Sequence, residues 1–238
     1  MVGKKSISRI LFEIINVILL SFIAFTCLAP VLHVIFSSIS DPAHVARSSG
    51  IVLWPMGQVH LTGYKMVFRN PYIISGYLNT IFYVVVGTTI NVILTAIGGY
   101  VCSRKYFLWS NFIMFFIAFS MMFGGGLIPL YMVVRALGLI NTRWAVILPT
   151  AIQAFNLIIM RTFFETIPDS IAESAKIDGA KELTILFRII LPLSKASVAV
   201  VALFYAVFHW NNWFHASVFL QDRDKFPLQL IMREILVQ

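Results

Sequence analysis

Two stretches of this sequence concentrate side chains able to do chemistry. The first runs from Glu165 to Lys195 and carries Glu165, Asp169, Glu173, Lys176, Asp178, Lys181, Glu182, Arg188 and Lys195. The second is His209-Trp210-Asn211-Asn212-Trp213-Phe214-His215, set in an otherwise apolar run. Polar groups inside an apolar span are costly and are often functional. Trp faces stack on sugar rings and Asn amides hydrogen-bond hydroxyls, so Trp210, Asn211, Asn212 and Trp213 are candidate contacts for a carbohydrate in transit. A second reading stands beside it, because aromatic belts and wet polar groups are ordinary at the outer end of a span. Counting from Ala196 at ~1.5 Å per residue places Trp210 roughly 21 Å along the span, which fits both readings. His209 and His215 are six apart and share no helix face, so no metal site is assigned.

Other chemistries lack their residues. The Gly-Lys pair Gly3-Lys4 has no glycine-rich lead and meets Ser6 only after Lys5, so no phosphate-cradling loop is present. HExxH and G-x-S-x-G are also absent. A membrane-embedded enzyme would need ionisable residues clustered within the spans. An ion-driven carrier would need the same, usually with an internal repeat. These spans hold very few such residues.

The elements that must position these groups are membrane helices. The chain is 59% hydrophobic and 12% charged, against about 25% charged in a soluble domain, and its mean hydropathy is +0.87. The net charge of +8 sits between apolar runs, which marks loop charges at a membrane surface rather than a nucleic-acid face. A span needs about 20 apolar residues to cross about 30 Å of hydrocarbon. Five segments qualify: about 11–38, 76–102, 108–134, 143–164 and 196–220. The turn formers of 40–71 mark a loop outside the hydrocarbon. Pro30, Pro129, Pro149 and the run Gly124–Gly126 could bend or closely pack their helices. Cys27 and Cys102 lie in apolar stretches and imply no disulfide framework. Lys4, Lys5 and Arg9 precede an apolar run too long for a signal peptide, so it reads as a retained first span. The Lys4-Lys5 pair before the first span and Arg104-Lys105 after the second place the N-terminus inside.

The charged segment between the fourth and fifth spans reads as helix, turn, helix. Pro168-Asp169-Ser170 opens the first helix, with acid at its positive end. Asp178-Gly179 makes the turn, since glycine accepts positive φ. The second helix is expected over Ala180–Leu191, stopped by Pro192, with Leu183, Leu186, Phe187 and Ile190 as one apolar face. Pattern alone leaves two readings: a surface helix that caps the bundle, or a unit that docks a soluble partner.

Glu173-Ser174-Ala175-Lys176-Ile177-Asp178-Gly179-Ala180, followed by Phe187 and Ile190-Leu191-Pro192, resembles the EAA loop of ABC importer permeases. Ser174 stands where that family usually has Ala, and Ala196 where many relatives have Pro. Asn79-Thr80, Ile128-Pro129, Gly138-Leu139-Ile140-Asn141-Thr142 and His209-Trp210-Asn211 are similar to the carbohydrate-uptake branch, and Met122 to Pro129 to its LplC-like subgroup. The resemblance implies an all-α polytopic bundle in the bacterial inner membrane, with five spans here of a six-helix permease core and the C-terminal span outside 1–238. It implies one permease domain over 1–238, with 165–195 as its cytoplasmic coupling loop. The coupling residues would be Glu173, Ser174, Ala175, Asp178, Gly179, Ala180, Phe187, Leu191 and Pro192. It further implies a second, different permease, a cytoplasmic ABC ATPase and an external solute-binding protein as partners. ATP and Mg would be used by the ATPase, with no cofactor on this chain. A permease for a non-sugar solute is the alternative.

The first expected outcome follows from the missing phosphate loop. The rigorously purified chain hydrolyses no ATP and gains hydrolysis only with a partner; a phosphate-release assay on the isolated subunit reads this directly.

Overall fold

The computed structural model describes residues 7–104 and 106–237; it is helical, with no strand among the described residues. Lys4, Lys5 and Lys105, which carry much of the orientation argument, lie outside the described residues. The chain divides into two compact units, 1–70 and 71–238.

The first unit is built on α1 (Ile7–Ile39), whose surface is almost wholly exposed and apolar, as lipid contact requires. After it, the polar segment is not a plain loop. It holds two short helices, α2 (Pro42–Arg47), capped by the Asp41 carboxylate, and α3 (Thr62–Arg69). His33, near the end of α1, accepts the backbone N–H of Val52 at 2.9 Å and so pins this segment.

The second unit contains α4 (Pro71–Ser103), α5 (Ser110–Met122), α6 (Leu127–Ala136), α7 (Trp144–Thr150) and α8 (Ala154–Glu165). Then come α9 (Asp169–Ile177), α10 (Glu182–Leu193), α11 (Lys195–Asn211), α12 (Phe214–Phe219) and α13 (Leu228–Val237). Only α1 and α4, among the described residues, are long and apolar enough to cross a membrane unbroken. The expected third span is bent by 118° between α5 and α6, and the fourth by 51° between α7 and α8. At Gly124–Gly126 a Cβ on Gly124 or Gly126 would meet nothing within 4 Å, so these glycines serve the bend and not close packing. The expected fifth span, 196–220, is likewise two pieces. Asn212 interrupts it, its Oδ1 accepting the freed N–H of His215 at 3.3 Å; a short polar side chain competes with the helical backbone in this way.

Breaks at membrane depth expose backbone groups that no water can satisfy, and the neighbouring helices supply the partners. The Tyr205 hydroxyl on α11 accepts the N–H of Gln153 at 3.0 Å and pairs with Thr95 Oγ1 on α4 at 2.7 Å. Asn91 Nδ2 on α4 donates to the carbonyl of Thr150 at 3.1 Å and sits 3.3 Å from His209 Nε2 on α11. The His209 ring lies against Gly87, where a Cβ would approach Nε2 to 2.5 Å; the π turn Tyr83–Gly87 of α4 makes that close approach. Around these ties, one apolar core joins Tyr100, Met160, Phe164, Ile185, Ile190 and Tyr205. A second joins Tyr83, Ile147, Leu220, Leu228 and Ile231 near the other end of α4.

Removing the Tyr205 hydroxyl orphans the Gln153 N–H. Tyr205→Phe should therefore destabilise the bundle by about 1–3 kcal/mol, read as a lower midpoint of thermal unfolding in detergent. An unchanged midpoint would mean that the broken span is held by other contacts.

Candidate functional site

The segment between α8 and α11 forms two short helices at an end of the bundle. On α9, Ala172 and Ala175 are buried against the core that holds Phe164, Ile185, Leu186 and Ile190. Only small side chains at that i, i+3 spacing let α9 lie so close. The opposite face is free: Glu173 is exposed, Ser174 Oγ donates to the carbonyl of Ser170 at 2.8 Å, and Ile177 is 86% exposed.

α9 ends in a tight, fully bonded turn. Gly179 has φ +81°. Its N–H donates to the Lys176 carbonyl at 2.9 Å, and the N–H of Ala180 donates to the Ala175 carbonyl at 2.9 Å. That pair of reverse bonds is a Schellman motif, which takes a left-handed residue at the position Gly179 occupies. A Cβ on Gly179 would meet nothing within 4 Å, so the demand for glycine comes wholly from its backbone angle.

α10 departs from the expected second helix in two respects. It starts at Glu182 and runs through Pro192 to Leu193 rather than stopping at the proline. Pro192 falls in the first turn after the π segment Leu186–Ile190, where its missing N–H costs little. The π turn also splits the expected apolar face. Ile185, Leu186 and Ile190 enter the core, while Leu183 and Phe187 are 61% and 43% exposed. Leu191 is half-buried and Pro192 exposed; α10 and α11 then meet at 91° about Ser194. The outer surface of the two helices therefore sets Ile177, Leu183 and Phe187 among exposed charged groups that include Glu173, Asp178, Lys181 and Arg188.

Residues that the sequence pattern did not single out brace this loop. Glu182 Oε2 accepts the Tyr100 hydroxyl at 2.7 Å, and Oε1 accepts Lys176 Nζ at 2.7 Å and the Tyr106 hydroxyl at 3.2 Å. Lys176 Nζ also lies 4.1 Å above the Tyr106 ring. Burial opposes the Glu182 charge, but the bonds from Lys176 and Tyr100 outweigh it and hold the carboxyl below its ordinary range. The bond from Glu182 raises the Lys176 ammonium in turn. An acid in the first turn after Gly179, with tyrosines at the end of the second span, was the available signal; it needed the fold to connect 100, 106, 176 and 182.

The four candidate sugar contacts of the expected fifth span do not share a face. Trp210 and Asn211 are exposed, while Asn212 is buried and bonded to His215. Trp213 is half-buried beneath the Arg233 guanidinium, 3.6 Å from its ring centre. Asn79 and Thr80 instead tie down the segment before α13: Asn79 Nδ2 donates to the carbonyls of Asp224 and Phe226 at 2.6 and 3.2 Å, and Thr80 Oγ1 accepts the N–H of Leu228 at 2.9 Å. Asn141, at φ 60°, accepts from the N–H groups of Gln221 and Asp222, each at 3.1 Å.

Residues 93–235 match the family described as binding-protein-dependent transport system inner membrane component. The chain is 40% identical over 227 residues to the polygalacturonan/rhamnogalacturonan transport system permease protein YtcP of Bacillus subtilis (strain 168), covering 95% of this chain and 79% of that protein. It is 39% identical over 226 residues to protein LplC of the same organism, covering 95% of this chain and 76% of that one. Among solved structures it superposes on a chain of a bacterial ABC transporter involved in the import of the acidic polysaccharide alginate. There the TM-score is 0.92 and the identity 34%, over 99% of this chain and 83% of the other. A broken-helix bundle carrying a braced two-helix loop, and a match of this length, have one reading: the chain belongs to the binding-protein-dependent transport system inner membrane components, multi-pass subunits of ABC importers that transport rather than catalyse and that work with a separate ATPase and a binding protein.

Proposed function

We propose that this chain carries a carbohydrate, an oligosaccharide or sugar derivative, across the inner membrane by alternating access, and that the loop 165–195 receives the driving motion from the ATPase. The carrying observation is the Gly179 turn. It joins two short helices whose inner faces are locked into the bundle core while their outer faces are exposed. Such a unit transmits a push as a rigid body, and Glu182 relays it to α4 through Tyr100. Glu173, on the outer face, is placed to pair with a basic group on the ATPase. Ser174, Ala175, Asp178, Ala180, Phe187, Leu191 and Pro192 shape that unit. ATP and Mg act on the ATPase, and no cofactor belongs to this chain. The whole of 1–238 acts as one permease domain beside a second, different permease. The similar proteins, a polygalacturonan/rhamnogalacturonan transport system permease protein and an ABC transporter involved in the import of the acidic polysaccharide alginate, support a carbohydrate cargo. Trp210 and Asn211, exposed on α11, remain the candidate sugar contacts in this chain.

The N-terminus is cytoplasmic in this reading, so the Arg47 region is external and the Lys176 region internal. Single cysteines at 47 and 176, in a background without Cys27 and Cys102, should label oppositely with an impermeant thiol reagent in intact cells. Labelling of position 176 from outside reverses the orientation and removes the coupling role.

The turn makes a graded prediction. A left-handed backbone costs a β-carbon residue about 1–2 kcal/mol, so Gly179→Val should lower uptake about five- to thirtyfold. Gly179→Asn, which tolerates that conformation, should keep most of it. Glu173→Lys should abolish uptake while leaving membrane insertion intact, and should weaken co-purification of the ATPase. Normal uptake with both Gly179→Val and Glu173→Lys would overturn the coupling assignment.

A further inference from the structure

Arg104 follows the last residue of α4, and its side chain is only 2% exposed. A guanidinium presents five N–H donors and stays charged in proteins, so burying one without acceptors is costly. Here Nη1 reaches Asp169 Oδ1 only at 3.5 Å, and Nε and Nη2 have no partner among the described residues. The guanidinium carbon lies 4.6 Å above the Tyr100 ring, which covers one face; Nε and Nη2, in the plane of the group, are buried with their hydrogen-bonding capacity unused.

Two cavities meet at this side chain. One, of about 360 Å³, is polar, with Arg104, Arg161, Glu165, Ser110 and Asn111 in its wall. The other, of about 230 Å³, is apolar over most of its wall, with Ile97, Val101, Leu183 and Leu186 beside Arg104. Arg161 is already engaged: Nη2 pairs with Glu165 at 2.8 Å and Nε donates to the Cys102 carbonyl at 3.0 Å. Asp169 beside Arg104, Glu165 beside Arg161, and Glu182 paired with Lys176 in the wall of the apolar cavity leave the charges of the described residues close to balanced, which disfavours a dianion and admits a single negative charge. The place is also telling. α4 ends here, α5 begins here and α8 ends here, with Tyr106 and Trp109 60% and 61% exposed at the same level. Exposed aromatic rings at the ends of spans mark headgroup depth.

From this juxtaposition we infer that Arg104 holds the phosphodiester of an anionic phospholipid, with its headgroup in the polar cavity and an acyl chain along the apolar one. A phospholipid supplies the two chemistries together, one singly charged oxyanion for the fork and a hydrocarbon for Ile97 and Val101; free phosphate supplies only the first. Cationic side chains in recesses between membrane helices recognise lipid headgroups by a pairing of charge and depth. Leu183 and Leu186 belong to α10, so on the coupling reading proposed above the lipid also braces the loop.

The test is lipid retention, which is measured without transport and therefore stands or falls apart from the coupling reading. The assembled transporter, with its partner subunits, is examined by native mass spectrometry with phosphatidylglycerol or phosphatidylcholine added. Each copy of this chain should retain one phosphatidylglycerol in preference to phosphatidylcholine. Arg104→Gln should weaken that retention about tenfold or more, and Arg104→Lys, which keeps the charge but not the fork, should fall between. Val101→Trp, filling the apolar cavity while keeping the Arg104 charge, should also lose the lipid, and it decides the matter if Arg104→Gln fails to assemble. Equal retention of phosphatidylcholine, or retention unchanged in Arg104→Gln and Val101→Trp, would refute the site. So would displacement of the lipid by inorganic phosphate, which would make this a free-anion site. Loss of the ATPase from Arg104→Gln with lipid retention intact would assign the guanidinium to a carboxylate of that partner, and equally end the proposal.

Discussion

Every backbone amide inside a bilayer must find its hydrogen bond within protein, and this bundle is arranged around the places where helices fail to provide it. The gap between α7 and α8 leaves the carbonyl of Thr150 and the N–H of Gln153 without helical partners, and Asn91 and Tyr205 take them. Both side chains are fully buried, on two different helices. The packing of α4, α8 and α11 therefore answers to two hydrogen bonds as much as to apolar contact. Apolar contact alone is a weak guide between membrane helices, because lipid tails offer the same environment as Leu or Ile. Polar ties of fixed geometry set the register that van der Waals packing leaves loose.

The same logic extends to both ends of the bundle, with different chemistry. Near Asn79, side chains on α4 and the segment 141–143 hold the irregular chain 220–228: Asn79, Thr80, Tyr83 and Asn141 all bond backbone groups there, and Arg143 donates to Asn79 at 2.9 Å. Near Glu182 the ties are ionic, from Lys176, or phenolic, from Tyr100 and Tyr106. The two-helix loop is thus no floppy connector. It has a buried inner face, a fixed turn and one charged brace to the longest helix of its unit.

Much of this was legible in the residues. The apolar runs located the spans, because hydrocarbon thickness sets their length. The Asp178-Gly179 pair located the turn, because a left-handed backbone without steric crowding still selects glycine. The charges between 165 and 195 placed that loop outside the hydrocarbon, because so many ions cannot be solvated within it. The wording Glu173 to Pro192 carried the family, and the comparisons agree with it.

Other features were decided only by packing. Periodicity assigned Leu183, Leu186, Phe187 and Ile190 to one face, but the π turn Leu186–Ile190 rotates the helix and sends two of them outward. Hydropathy drew the third, fourth and fifth spans as single helices, since it averages over windows and cannot see a bend at Gly124–Gly126, at Ala151–Gln153 or at Asn212. Trp213 looked like a companion of Trp210, yet it turns inward under Arg233. Arg104 looked like a loop charge of the membrane surface, and the fold buries it between two cavities. Sequence alone determined which segments enter the membrane and which backbone turn the loop must make, because those depend on transfer from water and on local dihedral sterics. Which polar side chain answers which broken helix, and which charge ends up buried, depends on groups as far apart as Thr95 and Tyr205 meeting at 2.7 Å, and only the tertiary structure brings them there.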